Sequence, residues 1–259
     1  MILTSDYHTH TTFSHGKGRV IDNAKAAEKA GLKEIGISDH GFAHPAFGLR
    51  KRKLPLLSKE CEEATAKTGV KVLKGIESNI VGSDGTVDLK PKYYDNFDIF
   101  LAGLHKFVEF KIGTFFSVSA PDIIATYLKK KEVSKGLIKR NTRTFINVIK
   151  KNPVDIITHL NFFCFTDVKE VGKACADYGT YIELNSKKVH LSDDEIEELL
   201  KTDVNFVIDS DAHSPERVGE ISLVESMINR LDFPTERIMN VDGRTPDFRF
   251  KKFKEGRAK

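Results

Sequence analysis

No apolar run in this chain approaches the length needed to span a membrane. Nothing near the N-terminus has the layout of a signal peptide, because polar, chemistry-bearing residues begin by residue 6. Cysteine is scarce: Cys61, Cys164 and Cys175 cannot all pair, and no Cys-x-x-Cys is present. The thiols therefore read as small apolar residues of a reduced, cytoplasmic chain. Charge imbalance is small as well, and a net charge of +4 with a pI near 8.8 is too mild to assert nucleic-acid binding. Low-complexity segments and internal repeats are absent. What remains is 259 residues, 40% of them hydrophobic, enough to bury a full core in one large α/β domain or two small ones.

Strand-like and helix-like runs alternate along the chain. Strands are expected at Ile2–His8, 34–38, 70–76, 97–103, 154–158, 180–185 and 204–208. Helices are expected over Ile21–Ala30, stopped by Gly31, and over Ser58–Thr68, closed by Gly69. Further helices are read over Pro121–Lys131, Lys135–Lys151, Val168–Tyr178, from the cap Ser192 to Leu200, and over about Pro215–Leu231, before a basic tail. Residues 106–119 show no clear period and read as a long loop. Seven β-then-α units without a linker predict a single domain over 1–259, an α/β parallel barrel of the (β/α) kind.

The first strand carries Asp6-Tyr7-His8-Thr9-His10, and residues two apart in an extended chain share a face, so His8 and His10 can serve one centre. Alone, that pair is ambiguous. Its company makes it specific: His40, Glu77, His105, His159, Asp211 and His213 also lie at or just past the ends of expected strands, and His15 follows closely. In a (β/α) barrel those ends converge on one face, which carries the active site. Imidazoles with two acids suit zinc, manganese or iron rather than magnesium or calcium. Nine ligands exceed what one ion takes and fit two or three.

His8-x-His10, Ser38-Asp39-His40, Gly75-Ile76-Glu77, Gly103-Leu104-His105, Ile157-Thr158-His159 and Ser210-Asp211-Ala212-His213 together resemble the motif series of the PHP (polymerase and histidinol phosphatase) superfamily. Asp232–Val241 further resembles the C-terminal region of its stand-alone bacterial phosphatases. The resemblance implies a distorted (β/α)7 barrel with a trinuclear metal centre at the C-terminal ends of the strands. It implies one ion held by His8, His10, Glu77 and Asp211, and a second sharing Glu77 and completed by His105 and His159. A third would be held by His15, His40 and His213. Two departures stand out: the family's usual His-Pro-Gly is His159-Leu160-Asn161 here, and the stretch between His105 and His159 is long.

The expected activity is a metal-dependent phosphatase hydrolysing a small phosphomonoester such as histidinol phosphate, with a metal-bridging hydroxide as nucleophile. Glu77 and Asp211 would act at the centre, with Lys106 and Arg217 meeting anionic oxygens; Lys17 and Arg19 are further cations close to a ligand. Asp39 would orient an imidazole or cap a turn, and Asp6 reads as a supporting or structural acid. Asn185 ends the one strand without a ligand and either faces substrate or forms a turn. Cys164 reads as a core thiol. Phe107, Phe110, Phe115 and Phe116 would line a pocket or, more simply, pack the long loop.

Other readings are a phosphodiesterase or 3′-exonuclease, an amidohydrolase-type enzyme, and a non-catalytic module with a decayed centre. Basic runs at Arg50-Lys51-Arg52-Lys53, Lys129-Lys130-Lys131 and Lys251-Lys252 allow nucleic acid but read more simply as solvated faces. The Glu77 position and the trio His15, His40 and His213 argue against an amidohydrolase, and a full ligand set argues against decay. No membrane partner is expected.

Overall fold

The computed structural model describes residues 1–128 and 133–256. Seven parallel strands follow one another around a nearly closed barrel: β1 (Ser5–Thr9), β2 (Glu34–Ile37), β3 (Lys71–Asn79), β4 (Ile99–Gly103), β5 (Ile156–Ile157), β6 (Tyr181–Asn185) and β7 (Phe206–Asp209). The helices are α1 (Val20–Lys29), α2 (Leu54–Thr68), the single turn α3 (Ile112–Thr114), α4 (Ala120–Tyr127), α5 (Lys135–Lys151), α6 (Val168–Tyr178), α7 (Asp193–Leu200), α8 (Ser222–Leu231) and α9 (Arg249–Lys254). Local chemistry sets their ends. Gly69 and Gly179 take left-handed conformations that close α2 and α6, and Ser192 with Glu195 forms a reciprocal capping box at the start of α7.

The barrel interior has two layers. Tyr7, Leu73, Ile99, Leu101, Ile156, Tyr181 and Val207 form an apolar plug, with Met239 and Phe248 packed beneath it. On β3, β4, β6 and β7 the residues two and four places further along are polar or glycine: Gly75 and Glu77, Gly103 and His105, Glu183 and Asn185, Asp209 and Asp211. The two-residue period of a strand therefore puts apolar filling at the bottom of the interior face and chemistry at the top. On β1 the pairing register with β2 shifts between Asp6 and Thr9, a bulge that lets the successive residues Tyr7 and His8 both reach inward.

β7 and β1 meet through one parallel bridge, Thr9 with Ala212, rather than a full ladder. Side chains complete the seam. Asn240 donates from Nδ2 to the carbonyls of Ser5 (2.8 Å) and Ile208 (2.7 Å) and accepts from Ile208 N (2.9 Å). Asp209 accepts from Tyr7 N, and Asp6 accepts from Ser210 N and Oγ and from Gly219 N. Asp6 is thus a structural tie.

Three expectations are corrected. The stretch read as a loop over 106–119 is helical from Ile112, where α3 passes through a π-helical turn, Phe115–Ser119, into α4. The last long helix is divided: Pro215–Arg217 is an isolated 3-10 turn, and Gly219 (φ +74°) bends the chain before α8. The basic tail is an anchored helix: Phe250 of α9 is fully buried, and its N–H donates to Asp155 at 2.7 Å. Burial of Phe250, with Phe248 packed partly buried beside it, outweighs the solvation of Lys251, Lys252 and Lys254 that follow, because a buried aromatic side chain removes on the order of 150–250 Å² from water.

Candidate metal centre

Glu77 stands at the focus of the upper layer and is fully buried. Five imidazoles from the ends of β1, β4 and β5 and from the loop after β2 surround its carboxylate. His159 Nε2 (2.7 Å), His105 Nε2 (2.9 Å) and His8 Nε2 (3.3 Å) face Oε1. His40 Nδ1 (2.8 Å) and His10 Nε2 (3.6 Å) face Oε2. Asp211 Oδ1 lies 3.3 Å from His10 Nε2 and 3.3 Å from His213 Nδ1. Two ligand candidates depend on unusual backbone: His159 (φ +28°) and Asp211 (φ +47°) are both left-handed, a conformation that costs a non-glycine residue of order 1–3 kcal/mol and clusters at functional sites.

Burial raises the pKa of the Glu77 carboxyl, but the encircling imidazoles of His105, His8 and His40 outweigh it and hold the group well below the usual range. Burial likewise opposes ionisation of Asp211, and His8 and His10 reverse the balance. Burial pushes the imidazolium of His40 down to about 3 and that of His10 well below its ordinary value. His15 drops to about 4 through burial and its neighbour His213. Two ionised acids with His10, His15 and His40 held neutral are the protonation states that metal ligands need. At His8 and His159, by contrast, the facing carboxylates of Glu77 and Glu183 outweigh burial and push the imidazoles up.

The hydrogen-bond inventory also fits a metal. Glu77 Oε2 and His40 Nδ1 are buried with no hydrogen-bond partner, although they lie only 2.8 Å apart. Such groups are costly to bury unless something else satisfies them. Ligand atoms come within 4.8 Å of one another in three sets: His8, His10 and Asp211; His40, Glu77 and His105; and His10, His40 and His213. The third set contains His10 where the sequence pointed to His15. His15 instead stacks on His40, with centroids 4.8 Å apart and planes at 7°, at the open side of the cluster.

The remaining candidates divide. Lys106 lines the pocket above the cluster, its Nζ 3.0 Å from the centroid of Phe163 and 4.6 Å from that of Tyr127. Arg217 pairs with Glu220 at 2.8 Å, stands outside the pocket lining, and reaches only the carbonyl of Ser186, at 3.5 Å. Lys17 and Arg19 are exposed outside the lining too. Asp39 takes the turn-tying role: it accepts from Thr11 N and Oγ1 and from Ser14 Oγ, which fixes the loop between His10 and His15. Asn185 donates to Glu183 and Asp211 and caps the turn to Lys187. Cys164 is a buried thiol pushed well up by its surroundings. Of the four phenylalanines, Phe107 lines the pocket, Phe110 packs on the core, and Phe115 and Phe116 face solvent. In the basic runs, Lys51 sits over Phe42 and Tyr93, and Lys252 pairs with Asp247; Lys129-Lys130-Lys131 lies outside the described residues.

Sequence reasoning missed two residues. Glu183, buried on β6, places Oε1 2.5 Å from His8 Nδ1, while Oε2 accepts from His159 N at 2.6 Å. It fixes two neighbouring imidazoles at once, one by its ring and one by its backbone. A carboxylate within an otherwise apolar strand run, two places before Asn185, was the available signal. Lys187 reaches from the β6 turn to within 3.1 Å of His213 Nδ1 and 3.4 Å of both Asp211 oxygens. Above the cluster a cavity of about 510 Å³ is lined by these lysines, by Phe107, Phe162 and Phe163, and by His44 and His190.

A family model described as the PHP domain matches residues 6–187, which include seven of the nine candidate ligands. The chain belongs to the PHP domain family. Among full-length relatives of this PHP chain, a probable phosphatase of Caldanaerobacter subterraneus subsp. tengcongensis is 30% identical, over 92% of this chain and 87% of its own. A probable phosphatase of a Thermoanaerobacter species is 31% identical, over 93% of this chain and 92% of its own. The fold of this PHP chain also matches a solved structure, histidinol phosphate phosphatase from Lactococcus lactis subsp. lactis in complex with zinc, L-histidinol and phosphate. The TM-score is 0.63 at 15% identity, covering 90% of this chain and 95% of that one.

Proposed function

We propose that this protein is a metal-dependent phosphatase that releases phosphate from a small phosphomonoester. The observation that carries the reading is the buried Glu77 carboxylate faced by five imidazoles, with orphaned polar atoms, at the floor of a pocket lined by lysines. Two to three divalent ions, zinc first and manganese or iron as alternatives, would be held by His8, His10, His15, His40, Glu77, His105, His159, Asp211 and His213. When bound, such ions supply Lewis acidity toward water and toward phosphoryl oxygens. The chain's own residues do the rest. Glu183 holds the His8 ring with Nε2 toward Glu77, so that nitrogen keeps its lone pair for a cation. Lys187, at the edge of the cluster, is placed to pair with a non-bridging phosphoryl oxygen, and Lys106 to meet an anionic group at the rim. Arg217 supports the turn that carries Lys187. The cavity, about 510 Å³, takes a metabolite-sized ester, and its aromatic wall suits an apolar or ring-bearing leaving group.

Elemental analysis and a phosphorylated-metabolite panel with phosphate detection test the reading together. Two to three transition-metal ions per chain are expected, and Glu77→Ala should lose metal and monoesterase activity while keeping the fold. Unchanged turnover in metal-free protein would overturn the proposal.

A further inference from the structure

The helical segment beside the pocket mouth is inverted. Its buried side carries Thr114, Ser119 and Asp122 along with Val118 and Ala125, whereas its largest apolar side chains point to solvent. Ile112 is 80% exposed, Phe116 69%, Ile124 54% and Leu128 64%, and these residues recur at four- and eight-residue spacing, which places them along one side of a helix. Tyr127 is exposed as well, and its ring centroid lies 4.6 Å from Lys106 Nζ in the pocket lining, where the next residue, Phe107, is also exposed. With aromatic side chains of about 150–250 Å² each, the two-thirds exposure of Phe107, Phe116 and Tyr127 alone amounts to roughly 400 Å². Adding the three aliphatic residues takes the patch past the few hundred Å² that a monomeric surface ordinarily tolerates.

Charge decides what this ridge fits. The adjoining helix α5 contains no acidic residue and exposes Lys135, Lys139, Arg140 and Arg143 on its first turns. Arg140 Nε donates to the carbonyl of Ser117 at 3.0 Å, which joins the cationic helix to the ridge. None of the four cations is in an ion pair among the described residues, although Asp167 and Glu170 share a groove with three of them. A second copy of the chain would set this patch against itself and bring like charges together. A nucleic-acid strand would reward the cations and rings but not a row of Ile112, Ile124 and Leu128. Protruding aliphatic and aromatic side chains beside unpaired cations have the composition of a helix that lies in the interface of an anionic bilayer.

We propose that the ridge Ile112–Leu128, together with the N-terminal half of α5, docks the protein on an anionic lipid surface with the pocket mouth at its edge. This is peripheral contact, distinct from crossing: no helix among the described residues is long and apolar enough to span a membrane.

Vesicle sedimentation with the full chain tests it. Binding is expected to vesicles of phosphatidylcholine mixed with phosphatidylglycerol, not to phosphatidylcholine alone, and to weaken as salt is raised. The exposed triple variant I112S/F116S/L128S should bind at least tenfold more weakly while its circular dichroism and thermal transition stay as in the parent. K139E/R143E should lose the preference for the anionic vesicles. The proposal is overturned by absence of vesicle binding, or by binding that the apolar variant leaves unchanged. It is also overturned if the triple variant abolishes a concentration-dependent dimer, or if single-stranded DNA competes fully for the site.

Discussion

Glu183→Gln isolates what one buried carboxylate contributes to the metal centre. The carboxylate presents two acceptor oxygens, one to His8 Nδ1 at 2.5 Å and one shared by His159 N at 2.6 Å and Asn185 Nδ2 at 2.9 Å. A glutamine of the same shape keeps only one acceptor. If its amide nitrogen turns toward His8, the ring must accept at Nδ1, and the proton moves to Nε2, the atom aimed at Glu77. If it turns toward His159, donor meets donor, and a buried N–H is left unsatisfied at a cost of about 1–3 kcal/mol. Either arrangement disturbs an imidazole beside Glu77. Loss of such an orienting partner typically weakens metal binding about 10–100-fold, or about 1.4–2.8 kcal/mol. The assay is competition for zinc against a chromophoric chelator, with circular dichroism to confirm that the variant folds. A folded variant that binds zinc within about twofold of the parent would refute the role of Glu183, because the lower bound of the argument is tenfold.

Lys187→Ala should leave metal content unchanged and raise KM for phosphomonoesters about tenfold or more, the worth of one charge-assisted hydrogen bond; steady-state kinetics beside elemental analysis checks both halves. At Asn161 (φ +66°), glycine should be tolerated in backbone terms, whereas alanine should destabilise the fold by about 1–2 kcal/mol from its conformation alone. Urea unfolding of the two variants measures that difference, since both lose the bonds that Asn161 makes to Thr166 and Glu195. Burial pushes the Asp122 carboxyl up to about 7, against an ordinary 3.8. The folded state therefore binds more protons than the unfolded state between those values, and stability should fall as pH rises from about 4 to about 7. Thermal melts across that range should show the decline, and Asp122→Asn should reduce its slope, with Asp155, which burial also pushes up to about 7, contributing the remainder.

The helices were the most legible part of the chain because their ends carry their own chemistry. Lys135–Lys151 and Val168–Tyr178 match the expected spans, with Ser134 and Asp167 capping their first turns. Strand ends were legible for a different reason: an imidazole or acid after an apolar run marks where a strand leaves the core. Glu183 escaped because it lies within its strand, and parallel strands bury both faces, so hydrophobicity does not show which residues point inward. Parity along the strand would have shown it, since Glu183 follows Tyr181 as Glu77 follows Gly75 and Leu73. Lys187 escaped because nothing local distinguishes a surface lysine from one that a turn folds back over a cluster. The departure from His-Pro-Gly is explained by backbone conformation: Asn161 is left-handed, the state glycine adopts freely and asparagine tolerates best among side-chain-bearing residues. In α9, counting lysines obscured Phe250, whose complete burial decides the matter.

The seam between β7 and β1 gives the molecule an order of assembly. β1 brings His8 and His10, but its partner across the seam lies about two hundred positions along the chain, and the Asn240 side chain that joins the two strands comes later still. During synthesis β2 to β6 can pair with neighbours already made, whereas the first strand has one edge unmatched until nearly the whole chain has emerged. Closure over so long a separation is slow compared with the local pairings. The nascent chain thus carries His8 and His10 of the candidate metal centre from its first residues, and the cluster becomes whole only when its last segments arrive.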